Sequence, residues 1–154
     1  MIHDDISDFA AALPPTGALA GLDLGTRTIG VAVSDGLRSV ASPLRTIRRS
    51  KFTADAVALE AILAERAVAG LILGLPYNMD GSAGPRIQST LAFARNMSRR
   101  IDLPIGFWDE RLSTVAAERA LLEADTSRRR RAEVIDHVAA GYILQGALDR
   151  MRHL

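Results

Sequence analysis

The chain has 154 residues, of which 48% are hydrophobic and 24% charged, with no cysteine and a formal net charge of +1. That is the size and composition of one ordinary globular domain, long enough to bury a core, and it excludes a disulfide scaffold, a thiolate zinc site and a cysteine nucleophile. No stretch is long and apolar enough to span a membrane, and the start lacks the basic and apolar parts of a signal peptide, so the expectation is a cytoplasmic protein without a membrane partner.

Met1 to Gly17 is acidic at first (Asp4, Asp5, Asp8) and ends in Pro14-Pro15-Thr16-Gly17, which breaks any helix begun at Ile6. It reads as a flexible N-terminal extension (1–17), with room for one short amphipathic helix, ahead of a single domain (18–154). From Ala18 to Asp35 the chain is small, apolar and β-branched, interrupted by Gly25-Thr26-Arg27-Thr28, the pattern of a β-hairpin. Gly25 and Gly30 suit its turn and a close approach of backbone or phosphate. Ser39 to Ile47 reads as a third strand, placed at an edge or made irregular by Pro43.

Thr53 to Ala69 has helical spacing. Val57, Ile62, Leu63 and Ala67 supply its apolar stripe, Glu60, Glu65 and Arg66 face solvent, and Gly70 closes it. Leu71-Ile72-Leu73-Gly74-Leu75 is a continuous apolar run, expected of a strand buried on both faces. A loop rich in Pro, Asn, Asp and Gly follows through Pro85, then a helix over Arg86–Arg100. Ile105–Trp108 is a fifth strand with Asp109 and Glu110 at its C-terminal end. Ser113 can cap a helix running to about Ala124, Asp125–Arg131 is polar and basic, and a last helix runs from Ala132 to about Met151. The fold class is therefore α/β: a mixed five-stranded sheet, three antiparallel strands and then two parallel ones, with helices on both faces.

Three carboxylates stand out. Asp23 sits among apolar residues near the end of the first strand, where an uncompensated charge is costly. Glu110 is at the end of the fifth strand. Asp136 has Ala132 and Ala140 one turn away on either side, so it falls on a helix face turned toward the protein. Together they suit a hard, oxygen-seeking cation, Mg2+ or Mn2+. Two such ions about 3.5–4 Å apart can clamp the attacking and leaving oxygens of a phosphodiester. Taken singly, each acid is more often a helix cap, a salt-bridge partner or a surface group, and spacing alone does not make them neighbours.

Four segments resemble, in order, the motifs of the YqgF/RuvX family: Asp23-Leu24-Gly25-Thr26-Arg27-Thr28 with Ile29 to Asp35; Leu73-Gly74-Leu75-Pro76-Tyr77-Asn78; Asp109-Glu110-Arg111-Leu112-Ser113-Thr114; and Val134-Ile135-Asp136 with Ala139-Ala140 and Ile143-Leu144-Gln145. The resemblance implies an RNase H-like fold related to Holliday junction resolvases. It also implies a metal-dependent endonuclease that matures the 5′ end of 16S ribosomal RNA precursors, with Asp23, Glu110 and Asp136 as its acidic, metal-holding positions. Relatives often carry lysines before the last acid, where this chain has Arg128-Arg129-Arg130-Arg131; arginine keeps the charge and adds bidentate phosphate contacts.

The expected partner is nucleic acid, pre-rRNA or branched DNA, bound by a monomer or a homodimer. Candidate contacts are Arg27 at the hairpin tip, Asn78, Arg111, Thr114 and the run Arg128, Arg129, Arg130 and Arg131. Each has a plainer reading: Asn78 as a turn residue, Arg111 paired with a neighbouring acid, the arginine run as a solvated strip. His137 reads as a surface histidine, and Phe107 and Trp108 as core. Competing functions are junction resolution in DNA recombination, a non-catalytic nucleic-acid-binding module, and an ATPase. The Asp-Leu-Gly-Thr segment resembles the phosphate loop of actin-like proteins, but those bind ATP between two such halves and this chain is too short for both.

Overall fold

The computed structural model describes residues 1–78, 80–112 and 128–154, with backbone alone for 128–136. In chain order the elements are α1 (Ile6–Ala12), β1 (Ala18–Leu24), β2 (Thr28–Ser34), β3 (Ala41–Arg48), α2 (Phe52–Glu65), β4 (Val68–Leu75), α3 (Pro85–Ser98), β5 (Ile105–Asp109), a 3-10 turn (Glu110–Leu112) and α4 (Arg128–Met151). The sheet order is β3-β2-β1-β4-β5. The β1–β2 and β2–β3 pairs are antiparallel, and β4 lies parallel to β1 and β5 to β4. This is the expected mixed sheet.

Strand alternation divides the core in two. Leu22, Leu24, Leu71, Leu73 and Phe107 point into a layer shared with α2 and α3. Ile72 and Trp108 point the other way, against Ala140, Ile143, Leu144 and Ala147 of α4. Phe107 and Trp108 are both core residues. Pro43 is on an edge strand as expected, with a register shift between Val31 and Ala32 where β3 bulges.

Three segments differ from the sequence reading. The helix expected over 53–69 ends at Glu65, and β4 starts at Val68 after a left-handed Ala67. Gly70 is therefore not a cap but a strand residue. A Cβ there would come within 2.6 Å of Leu13 and 3.1 Å of Phe9. The buried face of α2 is Asp55, Ala56, Leu59, Ile62 and Leu63, whereas Val57 is exposed. The spacing was masked by Asp55, a charged residue in an inward position, which accepts from Ser50 N at 2.9 Å.

The N-terminal segment is docked. Asp5 caps α1 by accepting from Ser7 N. Phe9 is fully buried, against Gly106 and Gly70. Ile2 forms a bridge with Ile105, and Ile105 exchanges hydrogen bonds with Met1 and His3, so the outer edge of β5 is partly covered. Arg38 donates to the carbonyls of Gly17 and Pro14, tying the other end down. The expectation of a loose extension failed because Phe9 has its receptor in two glycines far along the chain. The last helix also begins earlier than expected, at Arg128 rather than Ala132. The helix expected over 113–124 lies outside the described residues.

Candidate active site

Asp23 pairs with Gly30 across β1–β2, and Gly30 pairs with Thr46 across β2–β3. On the other side, Leu22 pairs with Leu73 and Gly74 with Trp108, so the row continues from Asp23 through Gly74 to the end of β5. Asp23 is 2% exposed. By alternation it projects on the same face as Gly21, whose absent Cβ would sit 2.7 Å from Leu144 of α4. Glu110 follows β5 directly, is half-buried and has its Oε2 shielded from solvent. The Glu110 Cδ would be 3.4 Å from a Cβ on Gly74. Asp23 and Glu110 thus flank a strand position with no side chain, under the same helix.

The direction of α4 places the third acid. Gln145 Oε1 accepts from Ala41 N, Gly141 packs on Pro43, and His137 Nδ1 is 3.0 Å from Thr46 Oγ1. The helix therefore runs opposite to β3 and β1, and residues 136–137 lie over the row that contains Asp23. Position 136 is one turn before fully buried Ala140 and shares its stripe with Ile143 and Ala147. The Asp136 side chain is outside the described residues, as are those of Arg128, Arg129, Arg130 and Arg131 and all of Thr114. His137 is half-buried and hydrogen-bonded, not the surface histidine expected.

The remaining expected contacts are accounted for one by one. Arg27 is exposed at the hairpin tip. Asn78 donates from Nδ2 to Ser82 Oγ at 2.9 Å, and its carbonyl accepts from Gly81 N, so it organises its own turn. Arg111 grips Asp109 through Nε and Nη2, the latter at 2.7 Å, and its guanidinium lies 5.2 Å from the Tyr77 ring centroid. That pair holds the Asp109 carboxyl below the usual carboxylate range, chiefly through the Arg111 side-chain hydrogen bond. Gly25 donates to Thr28 O at 2.9 Å to close the turn, with a negative φ.

The donor chemistry of Asp23 and Glu110 fits a hard divalent cation, since both offer carboxylate oxygens, and Gly74 between them admits Ile143 of α4, whose side chain packs where a Cβ would be. Among the described residues no group of three acidic or histidine side chains gathers. Sequence reasoning missed Thr46 and His137 as partners, although a histidine next to the last acid was a visible signal.

A mixed sheet in the order β3-β2-β1-β4-β5, with carboxylates at the ends of β1 and β5 beneath a C-terminal helix, is the arrangement of the RNase H-like class. Two solved structures share the fold. Thermus thermophilus RuvC in complex with a Holliday junction substrate aligns at a TM-score of 0.53 and 12% identity, covering 88% of this chain and 96% of that one. The yeast mitochondrial Holliday junction resolvase Ydc2 aligns at 0.50 and 10%, covering 96% and 86%.

Within that class, the chain belongs to the RuvX family, a family of nucleases described as "Holliday junction resolvase", whose profile matches residues 17–150. A protein of Cereibacter sphaeroides is 76% identical over 98% of this chain and 94% of its own length. One of Paracoccus denitrificans is 75% identical over 100% and 98%. Both carry the name "Putative pre-16S rRNA nuclease".

Proposed function

We propose that this chain is an endonuclease that hydrolyses phosphodiester bonds in the precursor of 16S ribosomal RNA, with Asp23, Glu110 and Asp136 as its acidic centre. The observation that carries this is the meeting of Asp23 and Glu110 on either side of Gly74, beneath the helix that bears Asp136. The RNA substrate rests on the names of relatives at 71–76% identity that match nearly the whole chain.

The three carboxylates would hold one or two Mg2+ or Mn2+ ions. Such ions, when bound, supply charge neutralisation at the phosphate and a water acidified enough to attack it. The chain does the rest by placement. Asp23 is fixed by a central strand and Glu110 by the rigid turn after β5, where the Asp109–Arg111 pair holds the backbone. Gly74 lets Ile143 of α4 seat directly on the strand beside Glu110, so that the helix backs the site with apolar packing. Arg27 and the arginines at 128–131 would meet the phosphate backbone, whose contacts fix register and not sequence. Asn78 would act from its own turn and Arg111 through the order it gives Asp109, and Thr114 is a candidate contact from the sequence alone.

The test is cleavage by the protein and its Asp23→Asn variant, with manganese and two labelled substrates, a 16S precursor and a four-way DNA junction. Cutting of the RNA alone, lost in the variant, supports the proposal. Paired cuts in the junction would instead favour resolution, the activity in the family description, and would require a dimer. Activity that survives in the variant would overturn the placement of the site.

A further inference from the structure

At the C-terminal end of β1, on the α2 and α3 side of the sheet, there is a cleft of about 370 Å³ lined by Gly25, Thr26, Arg49, Ser50, Arg86 and Ser89. Its two arginines come from separate elements, Arg49 from the β3–α2 connection and Arg86 from the first turn of α3. Arg49 Nη1 donates to Gly25 O at 2.7 Å, and Arg86 Nη2 donates to Leu24 O at 3.0 Å. These are consecutive carbonyls, whose residues are only about 3.8 Å apart along the chain. Both guanidiniums are thereby drawn to one turn, and each has further N–H donors to offer.

Two guanidiniums anchored on neighbouring carbonyls present like charge to one cleft, which an anion bound there would neutralise. Among the described residues no carboxylate is within ion-pair distance of either arginine. The Arg49 guanidinium is also steadied 6.0 Å from the Phe93 ring centroid. Behind it, buried Asp55 accepts from Ser50 N and Ser50 Oγ and fixes the loop. Thr26 and Ser89 add hydroxyl donors around the same space, while Ser50, whose hydroxyl is committed to Asp55, lines its wall. A pair of planar cations with hydroxyls fits the tetrahedral oxygens of a phosphate.

We propose that this cleft is a phosphate subsite that takes one non-scissile phosphodiester of the substrate strand. It begins at Leu24 and Gly25, directly after Asp23, at the C-terminal end of β1 and on the opposite face of the sheet from the Asp23 side chain. A strand that rounds this end of the sheet from a scissile phosphate at Asp23 therefore brings a neighbouring phosphate to this turn. Arg49 and Arg86 are positioning residues that set the register of the cut. The inference rests on the nuclease reading for the word "scissile", but the subsite itself can be tested without cleavage.

Two measurements on the full chain, both without divalent metal, decide it. First, inorganic phosphate is titrated while the Nε–H resonances of the arginines are followed by NMR. Arg49 and Arg86 should shift together and saturably. Arg86→Gln, at an exposed position with one backbone hydrogen bond, should remove the Arg49 response with the melting temperature retained. Absence of any joint shift overturns the subsite, whatever the enzyme cuts.

Second, binding of a single-stranded RNA is measured against salt and with single neutral methylphosphonates scanned along it. The slope of log K against log salt should fall by about 0.7 for Arg86→Gln. One internal methylphosphonate should weaken wild-type binding severalfold yet leave Arg86→Gln and Arg49→Lys unaffected. A scan identical in wild type and variants, or no RNA binding despite the phosphate response, overturns the assignment to an internal strand phosphate and indicates a free phosphate monoester instead. Failure to cleave any substrate, with both measurements positive, would bring down the nuclease reading and leave the subsite standing.

Discussion

Asp23 sits between Leu22 and Leu24 in a central strand, where a leucine would pack without cost. A carboxylate at such a place costs desolvation, and replacing a buried charge with an apolar group is often neutral or stabilising, so Asp23 has a chemical and not a structural role in the proposed function. Asp23→Asn should therefore keep a cooperative unfolding transition and lose cleavage by at least two orders of magnitude, measured at equal protein with manganese. At the other hairpin, Asp35 Oδ1 accepts from Ser39 N and Val40 N, both at 2.8 Å. The backbone hydrogen bond from Val40, followed by that from Ser39, lowers its pKa. A carboxyl depressed in the folded state contributes stability above its unfolded value of about 3.9, and that contribution is lost as pH falls through the lower folded value. NMR titration should find Asp35 below the usual range. Asp35→Ala should shrink the gain in stability between acid and neutral pH; an unchanged pH profile would show that the hairpin contacts do not survive in solution.

Legibility at this scale followed the chemistry of each residue. Asp23 was readable because its charge contradicts its neighbours. Asp55 contradicts its own in the same way but was not read, since a surface acid on a helix is so ordinary. Arg49 and Arg86 could not be paired from sequence at all, because nothing short of the topology brings the β3–α2 connection beside the start of α3.

Among the elements, α4 is the one on which the site depends, and it rests on glycine. A Cβ on Gly21 would lie 2.7 Å from Leu144 Cβ and 3.1 Å from the Ala140 carbonyl, so the helix backbone itself would have to move. Gly21→Ala should cost about 1–3 kcal/mol in urea unfolding, the usual cost of overpacking. It should also reduce cleavage at a temperature where the variant is fully folded, since position 136 moves with the helix. Full activity in a destabilised variant would mean that α4 tolerates the shift. The strands were legible because apolar runs and turn residues are local signals. The end of α2 was not, because Ala67 takes a left-handed conformation that alanine rarely adopts, and Gly70 looked like the better stop.

At the scale of the whole molecule, two kinds of long-range linkage are testable. If the acidic centre binds divalent ions, Mg2+ or Mn2+ at one hundred times Kd should stabilise the protein by about 2.7 kcal/mol, with the shift absent in Asp23→Asn. A melting curve indifferent to millimolar metal would remove the shared cation site. Phe9→Ala should cost about 3–5 kcal/mol, because the ring fills the space over Gly70 and Gly106; a loss under 1 kcal/mol would mean that α1 contributes little.

The pairing of Met1 and His3 with Ile105 also has a meaning in time. Met1 and Leu103 are 102 residues apart. At a usual synthesis rate of about 5–20 residues per second, residues 1–3 wait on the order of 5–20 s for the strand they will pair with. Throughout that interval Ile2 has no receptor and Phe9 lacks the half of its receptor that Gly106 supplies, since β5 has not been made. The segment around Ile2, made some hundred residues before its partner, is thus among the last to find its place. Until it does, an apolar segment and a raw sheet edge are both open to capture by a chaperone or by another nascent copy.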